Sequence, residues 1–168
     1  MIVDLGANVG AFSFLLETLL KKRGVRIPIV AVEPNSANVA FLRKQPFAKS
    51  LEIHHAAVGP TAGVGRLVRG QNSVTDRVVF SGAAEGAEIQ VLSLASLCDR
   101  AALVKMDIEG GEHEILQGGL PDNVRHLVLE WHSDPASRST SSPVNLVSGD
   151  WTLICHDIHG SSMWYWRR

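Results

Sequence analysis

Residues 2–13 read I-V-D-L-G-A-N-V-G-A-F-S, and this stretch decides the fold. An apolar run interrupted only by Asp4 leads into two glycines, Gly6 and Gly10, after which apolar residues recur at helical spacing. The order strand, glycine turn, helix typically holds a nucleotide-like ligand at the carboxyl end of a first strand. Glycine is expected here because a side chain would block the approach of the backbone to the ligand. The stretch therefore predicts an α/β fold that binds such a ligand.

The composition limits the classes of protein that need to be considered. The chain has 168 residues, 16 of them basic and 17 acidic, so its formal net charge is −1 and gives no general attraction for nucleic acid or for an anionic membrane. No apolar run approaches the roughly 18 residues that span a bilayer, and the first residues lack a signal-peptide pattern. Cys98 and Cys155 are interpreted as buried free thiols. These features predict a cytoplasmic protein.

Continuous apolar runs alternate with helical patterns along most of the chain. Strands are expected at 2–5, 29–32, 51–58, 103–108 and 126–131, and helices at about 11–23, 35–45, 94–100 and 110–117. Apolar strands separated by helices are typical of a parallel sheet that is covered on both faces. The predicted fold class is therefore three-layer α/β.

Three segments depart from this alternation. Residues 61–92 carry short strand patterns at 66–69, 77–80 and 88–92, which predict a small β insertion. Residues 133–143 are rich in Ser, Pro and Thr and predict a loop. Residues 151–156 and 162–166 predict a closing hairpin that adds an antiparallel last strand. We interpret the whole chain, 1–168, as a single domain.

The glycine turn favours one nucleotide-like ligand over the others. Counted from Gly6, a dinucleotide loop of the form G-x-G-x-x-G would place its second glycine where this chain has Asn8. Asp4, two residues before the first glycine, suits a cationic ligand better than a diphosphate. Glu33 follows the second strand, where a carboxylate can accept hydrogen bonds from ribose hydroxyls. Since S-adenosylmethionine carries an ammonium and a sulfonium but no phosphate, it is the favoured ligand, with a dinucleotide as the weaker alternative.

Four segments resemble a known family. V-D-L-G-A-N-V-G, A-V-E-P-N, V-K-M-D-I-E-G-G-E-H-E-I-L and L-V-L-E-W-H are similar to the FkbM family of S-adenosylmethionine-dependent methyltransferases. The resemblance covers nearly the whole chain and implies a Rossmann-like class I methyltransferase fold. The chain departs from the family pattern at Ala95, where an aspartate is usual, and begins one residue before the first strand.

The resemblance also implies which residues bind the cofactor. In this family pattern the first loop holds the methionine part, the acid after the second strand holds the ribose, and backbone groups after the third strand meet the adenine. The corresponding positions are Asp4, Gly6, Asn8, Gly10, Glu33, Pro34, Ala57, Val58 and, after the fourth strand, Asp107.

The candidate reaction centre lies after the fourth and fifth strands. Asp107, Glu109, Glu130 and His132 end neighbouring strands, so their side chains are expected near the methyl group. His132 is the favoured general base because the unperturbed pKa of imidazole is near neutral, and Asp107 is the second choice. The same four residues could alternatively hold a divalent cation, a possibility that their spacing leaves open and that we do not favour.

Three charged residues near this centre are interpreted differently. Glu112 and Glu114 are expected to be favourable charges in the first turn of a helix, without a role in chemistry. Lys105 lies inside the fourth strand and is expected to pair with an acid or to extend to the sheet edge.

The predicted function is O-methylation of a hydroxyl group on a small molecule or a sugar, with S-adenosylmethionine as the methyl donor. No nucleic-acid or membrane partner is expected. The alternative is a non-catalytic cofactor-binding or assembly module with a methyltransferase fold. This alternative is motivated by the early start of the first strand and by the W-Y-W-R-R tail at 164–168, which could form a surface between copies of the chain.

Overall fold

The computed structural model describes residues 1–70, 76–79, 85–132, 142–147, 149–157 and 163–168. The helices are α1 (Ala11–Lys22), α2 (Ser36–Arg43), α3 (Leu94–Leu97) and α4 (Glu112–Gln117). The strands are β1 (Ile2–Leu5), β2 (Ile29–Glu33), β3 (Leu51–His55), β4 (Ala57–Gly59), β5 (Gly63–Val68), β6 (Arg77–Val79), β7 (Ala87–Ser93), β8 (Leu103–Met106), β9 (His126–Glu130), β10 (Thr152–Asp157) and β11 (Met163–Arg167). The predicted mixed α/β class is confirmed.

The larger sheet has seven strands in the order β10-β11-β9-β8-β1-β2-β3. Strands β1, β2, β3, β8 and β9 pair in parallel, whereas β11 runs antiparallel to both β9 and β10. From β1 the chain proceeds outward to β2 and β3, and it later returns to the other side of β1 with β8. The strand order therefore reverses between β1 and β8, and a crevice opens there at the carboxyl ends of the strands.

Alternation along the strands gives this sheet two apolar faces. Val30 and Val32 belong to the main core, which also contains Leu97 of α3 and Ile115 of α4. Ala31, between the two valines, belongs to a second cluster on the opposite face, whose other members come from the first loop, α2 and the segment after it. Because helices contribute to both clusters, both faces of the sheet are covered.

The β insertion forms a sheet of its own, in the order β4-β7-β5-β6. Here the prediction of one long strand at 51–58 is wrong, because the structure divides that segment into β3 and β4. The division falls at Ala56, whose N–H donates to the Glu33 carbonyl at 3.2 Å as the chain leaves the edge of β2. Beyond it, β4 pairs in parallel with β7. The divided segment thus links the two sheets beside the end of β2.

The fourth predicted strand also ends earlier than expected. β8 stops at Met106 rather than at Ile108, and the Asp107 N–H donates to the Leu5 carbonyl at 3.1 Å. Glu109 and Gly110 then adopt positive φ angles of 56° and 106°. The chain consequently turns sharply after β8, and Asp107 and Glu109 lie in this turn rather than in the strand.

The structure also bears on a helix cap, a predicted loop, the two cysteines and the prediction that no segment spans a membrane. The second helix begins at Ser36, and the side chain of Asn35 caps it by accepting from the Ala37 N–H at 2.9 Å. Most of the predicted loop at 133–143 lies outside the described residues. Burial raises the pKa of the Cys98 thiol to about 12, as befits a buried thiol, whereas Cys155 is exposed on β10, contrary to the prediction. Within the described ranges, no helix is long and apolar enough to cross a bilayer.

Candidate functional site

A pocket lies at the carboxyl ends of β1, β2 and β8, where the strand order reverses. Strand β6 of the second sheet closes it from one side. The pocket is lined by Gly6, Asn8, Val32, Glu33, Pro34, Ala56, Ala57, Val58, Asp76, Val78, Asp107, Ile108, Glu109 and Gly111. Of the predicted cofactor residues, seven therefore line one pocket, and Asp4 and Gly10 do not line it.

The two glycines of the first loop allow close packing of the chain on itself. Gly6 has a φ of 71°, and a Cβ atom there would lie 1.6 Å from the Asp107 carbonyl oxygen. Gly10 has a φ of 89°, and its Cβ would lie 2.3 Å from Leu42 Cδ1. Glycine is thus required at these two positions because other parts of the protein pack against them. The sequence had suggested instead that the ligand approaches them.

Asp4 is fully enclosed beneath the loop. Its Oδ2 accepts from Ser13 Oγ at 2.7 Å, and its Oδ1 lies 3.5 Å from Lys105 Nζ. Burial raises the pKa of Asp4, and the ammonium of Lys105 acts in the opposite direction. The sequence therefore located an important acid but misjudged its contact, because Asp4 faces Lys105 and not the pocket.

Lys105 connects the glycine loop to the end of β8. Its Nζ donates to the Gly6 carbonyl at 2.9 Å and to Asp107 Oδ2 at 3.2 Å, in addition to its ion pair with Asp4. The expectation that Lys105 pairs with an acid is confirmed. The sequence signal for this role is a single cation inside an apolar strand, at a register position directly opposite Asp4.

Glu33 ends β2 with a nearly buried carboxylate that faces the pocket. Its Oε2 accepts from the Asn8 N–H at 2.8 Å, and its Oε1 accepts from the Asn35 N–H at 2.9 Å and from Asn38 Nδ2 at 3.1 Å. Burial raises the pKa of Glu33, although these hydrogen bonds favour the charged form. A carboxylate offers about four acceptor positions, so one position on Oε2 is left for a ligand.

His132 lies among three carboxylates. Its Nδ1 is 2.9 Å from Glu112 Oε1, and its Nε2 is 3.4 Å from Glu109 Oε2 and 4.0 Å from Asp107 Oδ1. Burial alone would lower the pKa of His132, but the hydrogen bond to Glu112 and the three negative charges outweigh it and raise the pKa to about 9. At neutral pH the ring is therefore an imidazolium. His132 was predicted to be the general base on the premise that its pKa is unperturbed. That premise is wrong.

Glu112 has a role that the sequence did not indicate. Its carboxylate is fully buried and accepts from the Ile108 N–H at 3.1 Å and the Gly110 N–H at 3.0 Å, as well as binding His132. Glu114, on the same helix, is exposed. Glu112 thus fixes both the turn after β8 and the imidazole ring. The close spacing in E-G-G-E was the available signal, because a carboxylate there can reach the free N–H groups before its own helix.

The two remaining acids of the predicted centre differ in placement. Glu109 lines the pocket, and burial is the main cause that raises its pKa, with Asp107, Glu112 and Glu130 adding to the effect and His132 opposing it. Glu130 ends β9 outside the pocket lining, and among the described residues it forms no ion pair with His132. The structure brings Asp107, Glu109 and His132 together, and Glu130 contributes only its charge.

The side chains of Asp107, Glu109 and His132 lie close enough together to hold a metal ion. Asp107, Glu109 and His132 each offer one ligand atom, and these atoms lie within 4.8 Å of one another. A ring nitrogen binds a metal ion only when it carries no proton. The pKa of His132 is about 9, so a cation bound here at neutral pH would take the place of the proton on the ring nitrogen.

The raised pKa of His132 predicts a measurable titration. The imidazole resonances should titrate with a midpoint near pH 9 in NMR spectra, and the midpoint should fall in Glu112→Gln because the closest negative charge is removed. Since folding raises the pKa from 6.5, the ion pairs stabilise the fold fully below about pH 6.5, and this stabilisation is lost as the pH rises through about 9. A wild-type midpoint near 6.5 would contradict the ion-pair network.

Comparisons with known proteins identify the family of this chain. The model of the methyltransferase FkbM domain matches residues 4–148. Among solved structures, the methyltransferase FkbM from Methylobacillus flagellatus KT matches with a TM-score of 0.58 and 20% sequence identity, over 99% of this chain. This chain spans 43% of that protein's length. No curated protein matches the chain. The domain match covers most of the sequence, and the chain therefore belongs to the FkbM methyltransferase family.

Proposed function

We propose that this chain is an S-adenosylmethionine-dependent methyltransferase with a Rossmann-like class I fold, and that it methylates a hydroxyl group of a small molecule or sugar. One observation carries the proposal. The described residues that line the pocket include four carboxylates, Glu33, Asp76, Asp107 and Glu109, and no lysine or arginine. Such a lining suits a ligand with an ammonium and a sulfonium, and it opposes a pyrophosphate.

The lining also accommodates the rest of this cofactor. The free acceptor position on Glu33 Oε2 suits a ribose hydroxyl. The apolar wall formed by Val32, Pro34, Ala57 and Val58 suits the faces of a purine ring. At the end of β8, Asp107 remains for the cationic methionine part and Glu109 for the acceptor.

The chemistry required of the chain is limited. The cofactor supplies a methyl group activated by sulfonium, and transfer to a hydroxyl oxygen forms a C–O bond, breaks a C–S bond and leaves S-adenosylhomocysteine. The protein must position the acceptor hydroxyl and receive its proton. We propose that Glu109 accepts the proton of the acceptor hydroxyl. Its raised pKa makes Glu109 a stronger base than an ordinary carboxylate, and no hydrogen bond from a described residue occupies its oxygens.

The other charged groups of the site hold this arrangement in place. The His132 imidazolium lies 3.4 Å from Glu109 Oε2 and is itself fixed by the buried Glu112, so it orients the base and limits the repulsion between the carboxylates. Lys105 similarly keeps Asp107 beside the glycine loop. Titration calorimetry tests the cofactor assignment, which predicts that the chain binds S-adenosylhomocysteine and does not bind NAD⁺.

A further inference from the structure

One carboxylate of the pocket has no role in the scheme above. Asp76 immediately precedes β6 of the second sheet, about forty residues along the chain from Glu33, yet it lines the same pocket. Val78 of β6 lines the pocket as well. The β insertion therefore supplies a polar group and an apolar group to the site, and no motif in the sequence indicated either of them.

Asp76 is held by two hydrogen bonds. Its Oδ2 accepts from Asn35 Nδ2 at 2.6 Å, and its Oδ1 accepts from the Gly70 N–H at 2.9 Å. Asn35 is buried and caps α2 with its Oδ1, while its backbone N–H donates to Glu33 Oε1 at 2.9 Å. Asn35 thus joins the carboxylates of Glu33 and Asp76 and fixes the position of one relative to the other. Each oxygen of Asp76 keeps an acceptor position that these donors do not use.

Among the described residues, the wall beside Asp76 has no other side chain that could identify a base. The segment after β3 presents Ala56, Ala57 and Val58, whose side chains carry neither donor nor acceptor. Asp107 and Glu109 lie at the end of β8, on the far side of the glycine loop. A purine seated against the apolar wall next to the ribose position at Glu33 would therefore present its polar edge to Asp76.

We propose that Asp76 accepts a hydrogen bond from the exocyclic amino group of the cofactor's adenine, so that the β insertion makes the site selective for adenine. This inference rests on the proposed function. A carboxylate accepts hydrogen bonds and cannot donate one while it is ionised, so it matches a 6-amino group. A purine in which hydrogen replaces the 6-amino group has no donor at this position and would leave the pocket side of the carboxylate without that hydrogen bond.

The test compares S-adenosylhomocysteine with its 6-deamino analogue, in which hydrogen replaces only the 6-amino group of the purine, by titration calorimetry. The wild-type protein should bind the adenosyl compound on the order of 10–100-fold more tightly, because a site built around a hydrogen bond rejects the analogue that lacks the donor. In Asp76→Ala the ratio of the two affinities should fall close to one, and in Asp76→Asn, whose amide oxygen can still accept a hydrogen bond, it should fall less far. Glu88→Gln, which alters an exposed acid on β7 of the same sheet, should keep the wild-type ratio.

The ratio is a sound measure even if the variants are less stable, since both ligands are titrated into the same folded fraction. Equal binding of the two ligands by the wild-type protein would overturn the inference and leave the cofactor assignment intact. A full preference for the adenosyl compound in both Asp76 variants would also overturn it. Failure of the wild-type protein to bind either ligand would overturn the proposed function, and with it this inference.

Discussion

Gly6→Ala is expected to abolish binding of S-adenosylhomocysteine and to lower the free energy of unfolding by roughly 2–5 kcal/mol. The added Cβ would lie 1.6 Å from the Asp107 carbonyl oxygen, and both groups belong to the backbone, so no side-chain rotation relieves the overlap. The first loop would have to move away from the end of β8, which would separate Gly6 from Lys105 and open the pocket. Urea denaturation and calorimetry measure the two effects.

Gly24→Ala is the matched control. Gly24 has a φ of 67°, close to the 71° of Gly6, but a Cβ at Gly24 would meet nothing within 4 Å. This variant therefore isolates the strain of a left-handed backbone, about 1–2 kcal/mol, without the overlap. It should retain ligand binding. Equal losses of stability in the two variants, with binding preserved in both, would show that contact between the first loop and the end of β8 is not required.

Glu109→Gln is expected to lower kcat by about 10²–10⁴-fold while leaving the affinity for S-adenosylhomocysteine nearly unchanged. The amide keeps the size of the side chain but cannot receive the acceptor's proton. Transfer of a labelled methyl group from S-adenosylmethionine to a panel of monosaccharides, alcohols and phenols identifies the acceptor and then gives kcat. Because the base must be ionised, wild-type kcat/KM should rise with pH through the raised pKa of Glu109.

Glu114→Gln is the control for this experiment. Glu114 is exposed on α4, five residues from Glu109, and should be replaceable without effect on kcat. Unchanged turnover in Glu109→Gln would remove Glu109 from the role of base. Binding of the cofactor without transfer to any acceptor of the panel would instead favour the alternative of a non-catalytic module.

Much of the fold and of the candidate site follows from patterns that are local in the sequence. An apolar strand, two glycines and a helical pattern occupy consecutive residues, and the acids after β2 and β8 mark the ends of apolar runs. Because the carboxyl ends of parallel strands meet at one edge of a sheet, such residues converge even though they are distant along the chain. Glu33, Asp107 and Glu109 line one pocket for this reason.

The features that the sequence did not predict depend on contacts between distant segments. Asp76 reaches the pocket only because β6 belongs to a second sheet that is linked to the first through β4. The pKa of His132 depends on three carboxylates whose positions are set by the turn after β8. The sequence pattern does not show where an insertion lies or how far apart charged groups are, because both depend on the folded structure.

The division of the third strand has the same origin. The residues 51–58 favour strand throughout, and nothing in their side chains marks the break at Ala56. The break has two causes. The Ala56 N–H donates a hydrogen bond to the Glu33 carbonyl, and β4 then pairs with β7 instead of continuing beside β2. Tertiary pairing thus decides where an apolar run changes sheets.

The proposed cofactor is tested most directly by titration calorimetry with S-adenosylhomocysteine and with NAD⁺. The expected result is binding of one S-adenosylhomocysteine per chain and no binding of NAD⁺. Glu33→Gln should weaken that binding on the order of 10–100-fold, whereas Glu52→Gln, at an exposed acid on β3, should not. Binding of NAD⁺ in place of S-adenosylhomocysteine would contradict the assignment of this pocket to S-adenosylmethionine.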